Sequence, residues 1–307
     1  MLFDIAVADA PVGEDLILER PLTRWGVDSE YGRLLDVMVS PPPHLEIVPC
    51  NSISIGALDR GMSCCSDTAG RQHRALVTAL QAEGVRCHVV PPSEDMPDLS
   101  FTRDAALMTP WGLLQLNPSA PHREAEAAHV RDAARQWGVP MLGAIEEGKI
   151  EGGDICILRP GVVVVGWSGQ RTDEAGAKAL ARIFEDRGWT AVITRFDPYF
   201  LHLDTLFTMV GQRSAAACLE ALDGDFVERL WMLGLDFVPV TIGEVQGLGA
   251  NLVSLGDERI LSSADSSRIN TELARRGYRV IAVEIDQFTR CGGGIHCLTL
   301  PLARLPG

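Results

Sequence analysis

The sequence predicts an α/β fold in which one supersecondary unit is repeated five times about an axis. Three observations predict it. Five helix-like runs each end at a glycine and pass into a short apolar strand. The glycines are Gly84, Gly138, Gly188, Gly234 and Gly277, spaced 54, 50, 46 and 43 residues apart. Such spacing is the mark of a repeated structural unit. Pairs of short apolar strands joined by tight turns recur between these steps, and a polar motif precedes them at an equivalent place in each unit.

Each element follows from local chemistry. Glycine just past a helix is the expected left-handed cap, because it has no Cβ to clash there. The stretch 123–137 sets Ala127, Val130, Ala134 and Trp137 on one helical face. From Thr172, a residue suited to an N-cap, Asp173 and Glu174 fit the first turn. Ala177, Leu180, Ala181 and Phe184 then share the buried side. Hairpins are expected for 105–108 with 113–116, for 155–158 with 162–165, and for 252–255 with 259–261, since Gly and Pro punctuate their turns. The last unit, with a strand over 297–302, lacks a following hairpin strand. The early segment 33–39 supplies it, so that the N-terminal region, about residues 30–40, closes the ring. No linker, low-complexity tract or charge run divides the chain, and residues 1–307 read as one domain.

The 307 residues are 46% apolar and 22% charged, with a formal charge of −14. The acidity excludes nucleic acid as a partner, because that affinity comes from Lys and Arg neutralising phosphates. It suits attraction of a cationic substrate. Residues 1–18 have no basic start and apolar run of the signal-peptide kind, and no apolar stretch is long enough to span a bilayer. The reading is therefore a cytoplasmic protein with no membrane partner, its eight cysteines reduced thiols rather than a disulfide framework.

The polar motifs are Phe101-Thr-Arg-Asp104, Glu151-Gly-Gly-Asp154, His202-Leu-Asp204, Gly249-Ala-Asn251 and the run from Cys291 to Cys297. Equivalent positions about an axis converge, so acids, a histidine and a cysteine meet in one cavity. Those residue types suit a guanidinium, which is planar, cationic and rich in N–H donors. Asp104 and Asp204 can clamp it with charge-assisted hydrogen bonds. Its central carbon is a poor electrophile and needs a thiolate, which Cys297 can supply once a bound cation lowers its pKa. His202 can protonate the leaving nitrogen and then activate water, with Glu151 orienting and charging it. Glycines 292–294 would let the backbone approach the substrate.

At these residues the chain resembles the guanidine-modifying superfamily, whose members fold as a five-bladed α/β propeller of ββαβ units with pseudo-five-fold symmetry, the pentein fold. The ordered motifs FTRD, EGGD, HLD and a glycine-rich run ending in cysteine look most like arginine deiminase. The likeness covers about residues 30–304. The resemblance implies guanidinium binding by Asp104 and Asp204, a Glu151–His202 pair and nucleophilic Cys297, with no cofactor and no metal. It also implies carboxylate binding by Arg171, just ahead of a helix, and by Arg123, with Asp98 and Asp154 completing the substrate-binding set. The extra helical insertion of arginine deiminases is missing, so in size the chain is nearer dimethylarginine dimethylaminohydrolase. Deiminases typically carry Asn shortly before FTRD where this chain has Asp98, which bears on the amino-acid end of the substrate.

The implied reaction is hydrolysis of arginine or an arginine derivative through a Cys thiouronium, giving citrulline or another ureido product plus ammonia or an alkylamine. The alternatives are an amidinotransferase passing the amidino group to an amine, an arginine dihydrolase, and a non-catalytic binding protein of the same fold. The partner is a small guanidino substrate, with assembly as a homodimer or higher homo-oligomer left open. Other features have plainer readings. Cys64 and Cys65 are packing or loop residues. Cys291, His296 and Cys297 lack paired zinc-ligand spacing. His296, next to Cys297 on a strand, would face the other way. No helix follows glycines 292–294, as a phosphate cradle would need. Trp111, Trp137, Trp189 and Trp231 are core or turn packing.

Overall fold

The chain is described by a computed structural model over residues 24–307. The reading of residues 1–18 as lacking an export signal lies outside the described residues, as does the start of the 1–307 domain. Among the described residues no helix is long and apolar enough to cross a membrane.

The chain opens with strand β1 (Leu34–Val39), helices α1 (Ser52–Asp59) and α2 (Ser66–Ala82), and strand β2 (Arg86–Val89). The second unit is the hairpin β3 (Ala106–Thr109) and β4 (Gly112–Gln115), helix α3 (Glu124–Gln136) and strand β5 (Met141–Ala144). The third repeats this with β6 (Ile155–Arg159), β7 (Val162–Trp167), α4 (Glu174–Glu185) and β8 (Thr190–Arg195). The fourth has β9 (Phe207–Gly211), β10 (Ser214–Ala217), α5 (Gly224–Met232), β11 (Asp236–Pro239) and the short α6 (Ile242–Val245). The fifth has β12 (Val253–Gly256), β13 (Arg259–Ser263), α7 (Ser267–Arg275), β14 (Arg279–Val283) and α8 (Asp286–Thr289). The final strand, β15 (Leu300–Arg304), pairs antiparallel with β1, which pairs parallel with β2.

All five sheets are three-stranded and share one pattern: an antiparallel pair, then a third strand parallel to the middle one. A parallel neighbour cannot follow a two-residue turn, so a helix makes each crossover. Contacts run from blade to blade in sequence and return, with β15 against β3, the turn Thr102–Ala105 against the turn Gly152–Asp154, β6 against β9, β9 against β12 and β12 against β1. The sheets are therefore blades of a closed ring.

This arrangement explains why the middle strands are apolar throughout. In β7, Val163 and Val165 join one core cluster, and Val164 joins the next. Alternate side chains point to opposite faces of a strand, and here both faces meet neighbours, so all three valines are fully buried. Each contributes roughly 1.5 kcal/mol or more by burial.

The capping glycines behave as the sequence predicts. Gly84, Gly138, Gly188, Gly234 and Gly277 all have φ between +74° and +94°. Ala177, Leu180, Ala181 and Phe184 of α4 are buried, as are Ala127, Val130 and Ala134 of α3. Four details differ from expectation. The N-cap of α4 is Asp173, whose carboxylate accepts from Gly176 N at 2.7 Å. Thr172 instead accepts from Glu151 N. The hairpin β9–β10 escaped sequence reading because its second strand is Ser-Ala-Ala-Ala, small residues with little strand preference. Trp231 is 56% exposed rather than packed in the core. The last strand begins at Leu300, not at Cys297, because residues 291–299 form a run of turns.

Candidate active site

Three of the predicted motifs form short 3-10 turns that lead into the first strand of a blade: Thr102–Ala105, Gly152–Asp154 and Leu203–Thr205. The first two turns are each fastened to the next by an aspartate. Asp104 Oδ1 accepts from Gly153 N at 3.0 Å, and Asp154 Oδ1 accepts from Leu203 N at 2.8 Å. Asn251 repeats the relation, its Oδ1 accepting from His296 N at 2.9 Å. The motif acids thus join the blades near the axis as well as carrying charge there.

Cys297 sits in the final run of turns, where Leu298 N donates to Gly294 O. Its Sγ lies 3.2 Å from Asn251 Nδ2 and 3.5 Å from Asp204 Oδ2. His202 Nε2 is 2.8 Å from Glu151 Oε2, while His202 Nδ1, 3.9 Å from Asp104 Oδ1, has no hydrogen-bond partner among the described residues. One oxygen of Asp204, Oδ1, is likewise unpartnered there. Asp98, Asp104, Arg123, Arg171, His202 and Cys297 line one cavity together with Cys50, Asn51 and Phe101.

The glycines of these motifs are where side chains must come close. A Cβ on Gly153 would stand 2.7 Å from His202 Cγ and Nδ1. One on Gly293 would stand 2.0 Å from the Phe101 ring, and one on Gly294 2.4 Å from Asn251 Oδ1. The sequence reading assigned 292–294 to close approach of the substrate; Gly292 and Gly293 line the inner cavity, and Asn51, Phe101 and Asn251 occupy the space that side chains on the three would need.

The arginines are engaged with protein groups. Arg123 donates from Nη1 to Asp104 (2.6 Å), from Nε to Glu126 (2.9 Å) and from Nη2 to Phe101 O (3.0 Å). It therefore holds Asp104 in place rather than presenting free donors to an anion. Arg171 donates from Nη1 to Glu151 (3.1 Å) and from Nη2 to the carbonyl and thiol of Cys50 (3.1 and 3.2 Å). It also lines an outer cavity of about 410 Å³ beside Tyr199 and Phe200, so it stands between that opening and the inner cavity. Asp154 is fully buried and does not line the inner cavity. Asp98 does, but its carboxylate is 2.8 Å from His122 Nε2.

Burial dominates the electrostatics. It raises the Cys297 thiol well above its ordinary range, and Asp204 and Asp104 add to the rise because a thiolate there would face like charge. Burial alone would lower His202, but Asp104, Asp154 and Glu151 outweigh it and raise the imidazole to about 10. Burial likewise opposes ionisation of Glu151, yet Arg171, His202 and Arg123 hold it well below the carboxylate range. Asp154 is raised to about 7 by burial. The resting set is a neutral thiol beside an imidazolium–carboxylate pair.

Sequence reasoning missed several contributors. Asn251 was visible as the fourth motif, but its hold on Cys297 was not. His296 Nδ1 lies 2.9 Å from Asp204 Oδ2 and fixes that acid. The alternation argument that set His296 aside fails because neither it nor Cys297 is in a strand. Cys50, Asn51 and His122 reach the site from irregular or short segments that carry no motif. Among the described residues, two clusters have metal-ligand donor types, with their ligand atoms within 4.8 Å: Asp104, Glu151 and His202, and Cys50, Asp98 and His122. In both, an arginine already supplies positive charge, Arg123 and Arg171 to the first and Arg171 to Cys50.

A family model described as N,N dimethylarginine dimethylhydrolase, eukaryotic, matches residues 53–304. That span includes Asp98, Asp104, Glu151, His202 and Cys297, but not Cys50 or Asn51. The N(G),N(G)-dimethylarginine dimethylaminohydrolase of Streptomyces coelicolor is 30% identical over 234 residues, 76% of this chain and 86% of that one. The structure of the enzyme of that kind from Pseudomonas aeruginosa, complexed with citrulline, has a TM-score of 0.74 at 24% identity, covering 88% of this chain and 99% of that one. The N-terminal domain of ArgZ, a cyanobacterial arginine dihydrolase bound to product, has a TM-score of 0.77 at 20% identity, covering 88% and 98%. At those identities the two structures speak for the fold, and the ring of five blades is the pentein propeller.

Proposed function

We propose that this chain, which belongs to the N,N-dimethylarginine dimethylhydrolase family, hydrolyses the guanidinium of arginine or an Nω-substituted arginine through a covalent intermediate on Cys297. Family membership makes it a pentein hydrolase acting on the C–N bonds of a guanidino compound. The residue roles and the substrate are the proposal. The observation that carries them is the inner cavity, lined by a buried thiol, Asp104 and a charged histidine whose Nδ1 is unpartnered among the described residues, with the Asp204 carboxylate, which does not line it, 3.5 Å from that thiol.

In this reading a guanidinium binds between Asp104 and Asp204. Its charge offsets the two carboxylates that, with burial, keep the Cys297 thiol protonated. The thiol then gives up its proton to solvent, the thiolate forms where the electrophile is, and Sγ attacks the guanidinium carbon. His202 gives its proton to the departing nitrogen, which leaves as ammonia or an alkylamine, and a thiouronium remains on sulfur. Neutral His202 takes a proton from water, the resulting hydroxide attacks the same carbon, and the C–S bond breaks to release a ureido product. Glu151 keeps His202 oriented. Arg171, at the junction of the two cavities, is the residue offered to a substrate carboxylate, and Asp98 the one offered to an ammonium.

The test is a screen of arginine, methylated arginines, agmatine and guanidino acids for ammonia, methylamine and ureido products, with and without an amine acceptor. The expected result is acceptor-independent release of ammonia or methylamine, abolished in Cys297→Ser with the fold retained by circular dichroism. Undiminished release by that variant, or product formation only with an acceptor, would overturn the mechanism.

A further inference from the structure

Two cysteines with no part in this chemistry meet at the cavity, whose wall includes Cys291. The sulfurs of Cys64 and Cys291 are 3.4 Å apart, although the residues are 227 positions apart in the chain. Cys64 is half-buried at the end of the loop after α1, and Cys291 is buried six residues before the nucleophile. The segment 45–65, which ends at this pair, lies against the turns that carry Cys297. Asn51 Nδ2 donates to Cys291 O at 3.0 Å, Cys65 N to Gln287 Oε1 at 2.8 Å, and Arg290 Nη1 to Ser63 O at 3.0 Å. The same segment supplies Cys50 and Asn51 to the cavity lining.

The cavity offers about 20 Å³ to water-sized molecules, which is room for roughly one water. This inner cavity adjoins the outer one of about 410 Å³ at Cys50, Asn51 and Arg171, so movement of segment 45–65 away from the turns 291–297 widens the way in for a guanidino group.

We propose that Cys64 and Cys291 form a reversible disulfide on exposure to a peroxide, and that the bond fastens segment 45–65 over the cavity and holds it shut. Cys64 meets the oxidant, being the more exposed of the two. The hydrogen bond from the Cys291 thiol stabilises its thiolate and lowers its pKa, which is the condition for reaction. Its sulfur attacks one peroxide oxygen, giving a sulfenic acid and water. The Cys291 sulfur then displaces the hydroxyl as a second water. Two thiols and one hydrogen peroxide become one disulfide and two waters, the sulfurs oxidised and the peroxide oxygens reduced. The sulfurs need only close from 3.4 Å to about 2.05 Å, and a thiol reductant reverses the change.

The experiment uses the full chain, reduced and then treated with hydrogen peroxide. Free thiols are blocked with N-ethylmaleimide and the protein is digested without reductant for mass spectrometry. Expected is a linked peptide pair containing Cys64 and Cys291, two hydrogens lighter than the separate peptides and lost on adding dithiothreitol. Closure is read as access to Cys297: its alkylation by iodoacetamide should slow at least tenfold in the cross-linked protein, recover with dithiothreitol, and stay fast in oxidised Cys64→Ser. Recovery of both cysteines singly blocked after oxidation overturns the disulfide. A cross-linked protein with unchanged Cys297 alkylation overturns the closure. Neither readout depends on which substrate, if any, is turned over.

Discussion

Replacing Glu151 with glutamine tests how the site holds a proton. His202 stands at about 10 rather than its ordinary 6.5, against the pull of burial. The interactions that raise it are the charges of Asp104 and Asp154, and both the charge and the hydrogen bond of Glu151, 2.8 Å away. Glutamine removes the last two. If the four are comparable, the imidazole falls by about two pH units or more, on the order of 3 kcal/mol. Because the folded-state pKa is raised, this histidine contributes stability below about 6.5 and loses it as pH climbs through about 10. In the proposed mechanism the same window governs catalysis, since His202 as general acid must be protonated. The assays are a long-range proton–nitrogen titration of His202 and kcat/KM against pH for a substrate from the screen. The expected result is a basic limb near pH 10 in the wild type that moves to about pH 8 or lower in Glu151→Gln. A His202 titrating near 6.5 in the wild type, or a basic limb unmoved by the substitution, would refute the electrostatic account.

Three further outcomes follow from the same geometry. Gly153→Ala should push His202 off its position, because the new Cβ would stand 2.7 Å from the ring; turnover is expected to fall by about 100-fold with only about 1–3 kcal/mol lost in denaturant unfolding, and near-normal turnover would contradict the placement of that ring. Arg171→Ala should raise KM at least tenfold for substrates bearing a carboxylate and far less for agmatine, which has none; equal effects on both would remove Arg171 from substrate binding. Glu30→Gln leaves Arg103, 3.1 Å away and buried, without its carboxylate, at a cost of about 3 kcal/mol. Burial opposes ionisation of Glu30, but Arg103 and His296 hold its pKa below the ordinary 4.5, so its contribution is present above that pH and lost on acidification. The variant should therefore lose stability at pH 7 and show a flatter acid limb, and an unchanged urea midpoint would tell against this.

How much of this was legible in the sequence depends on how local the cause is. The five capping glycines announce themselves because a positive φ is a demand on a single residue, and each satisfies it. The glycines of EGGD were legible as a motif but not as a reason, since the Arg103 carbonyl against Gly152 and the His202 ring against Gly153 come from two other blades. Which partner an arginine chooses is also beyond local reading. Arg123 and Arg171 look alike as cations ahead of helices, yet Arg123 spends its donors on Asp104, Glu126 and a carbonyl, whereas Arg171 borders both cavities. Asn51 is legible only as the N-cap of α1, in a capping box with Ser54, and nothing local tells that it and Cys50 line the cavity.

The acids near the axis are not equivalent, although their motifs look so. Asp154 binds the next blade's backbone and lies off the cavity. Asp104 does the same through one oxygen and gives the other to Arg123. Glu151 is shared by Arg171 and His202. Among the described residues Asp204 pairs with His296, keeps one oxygen unpartnered and stands 3.5 Å from the Cys297 sulfur. His296, His202 and Arg103 favour its ionised form against burial, so a negative charge stands beside that thiol. That charge suppresses the thiolate while the site is empty and attracts a cation when one is available. In the proposed mechanism one residue thus couples arrival of a guanidinium to ionisation of the thiol that attacks it, and confines the reactive form of Cys297 to the moment when its target is bound.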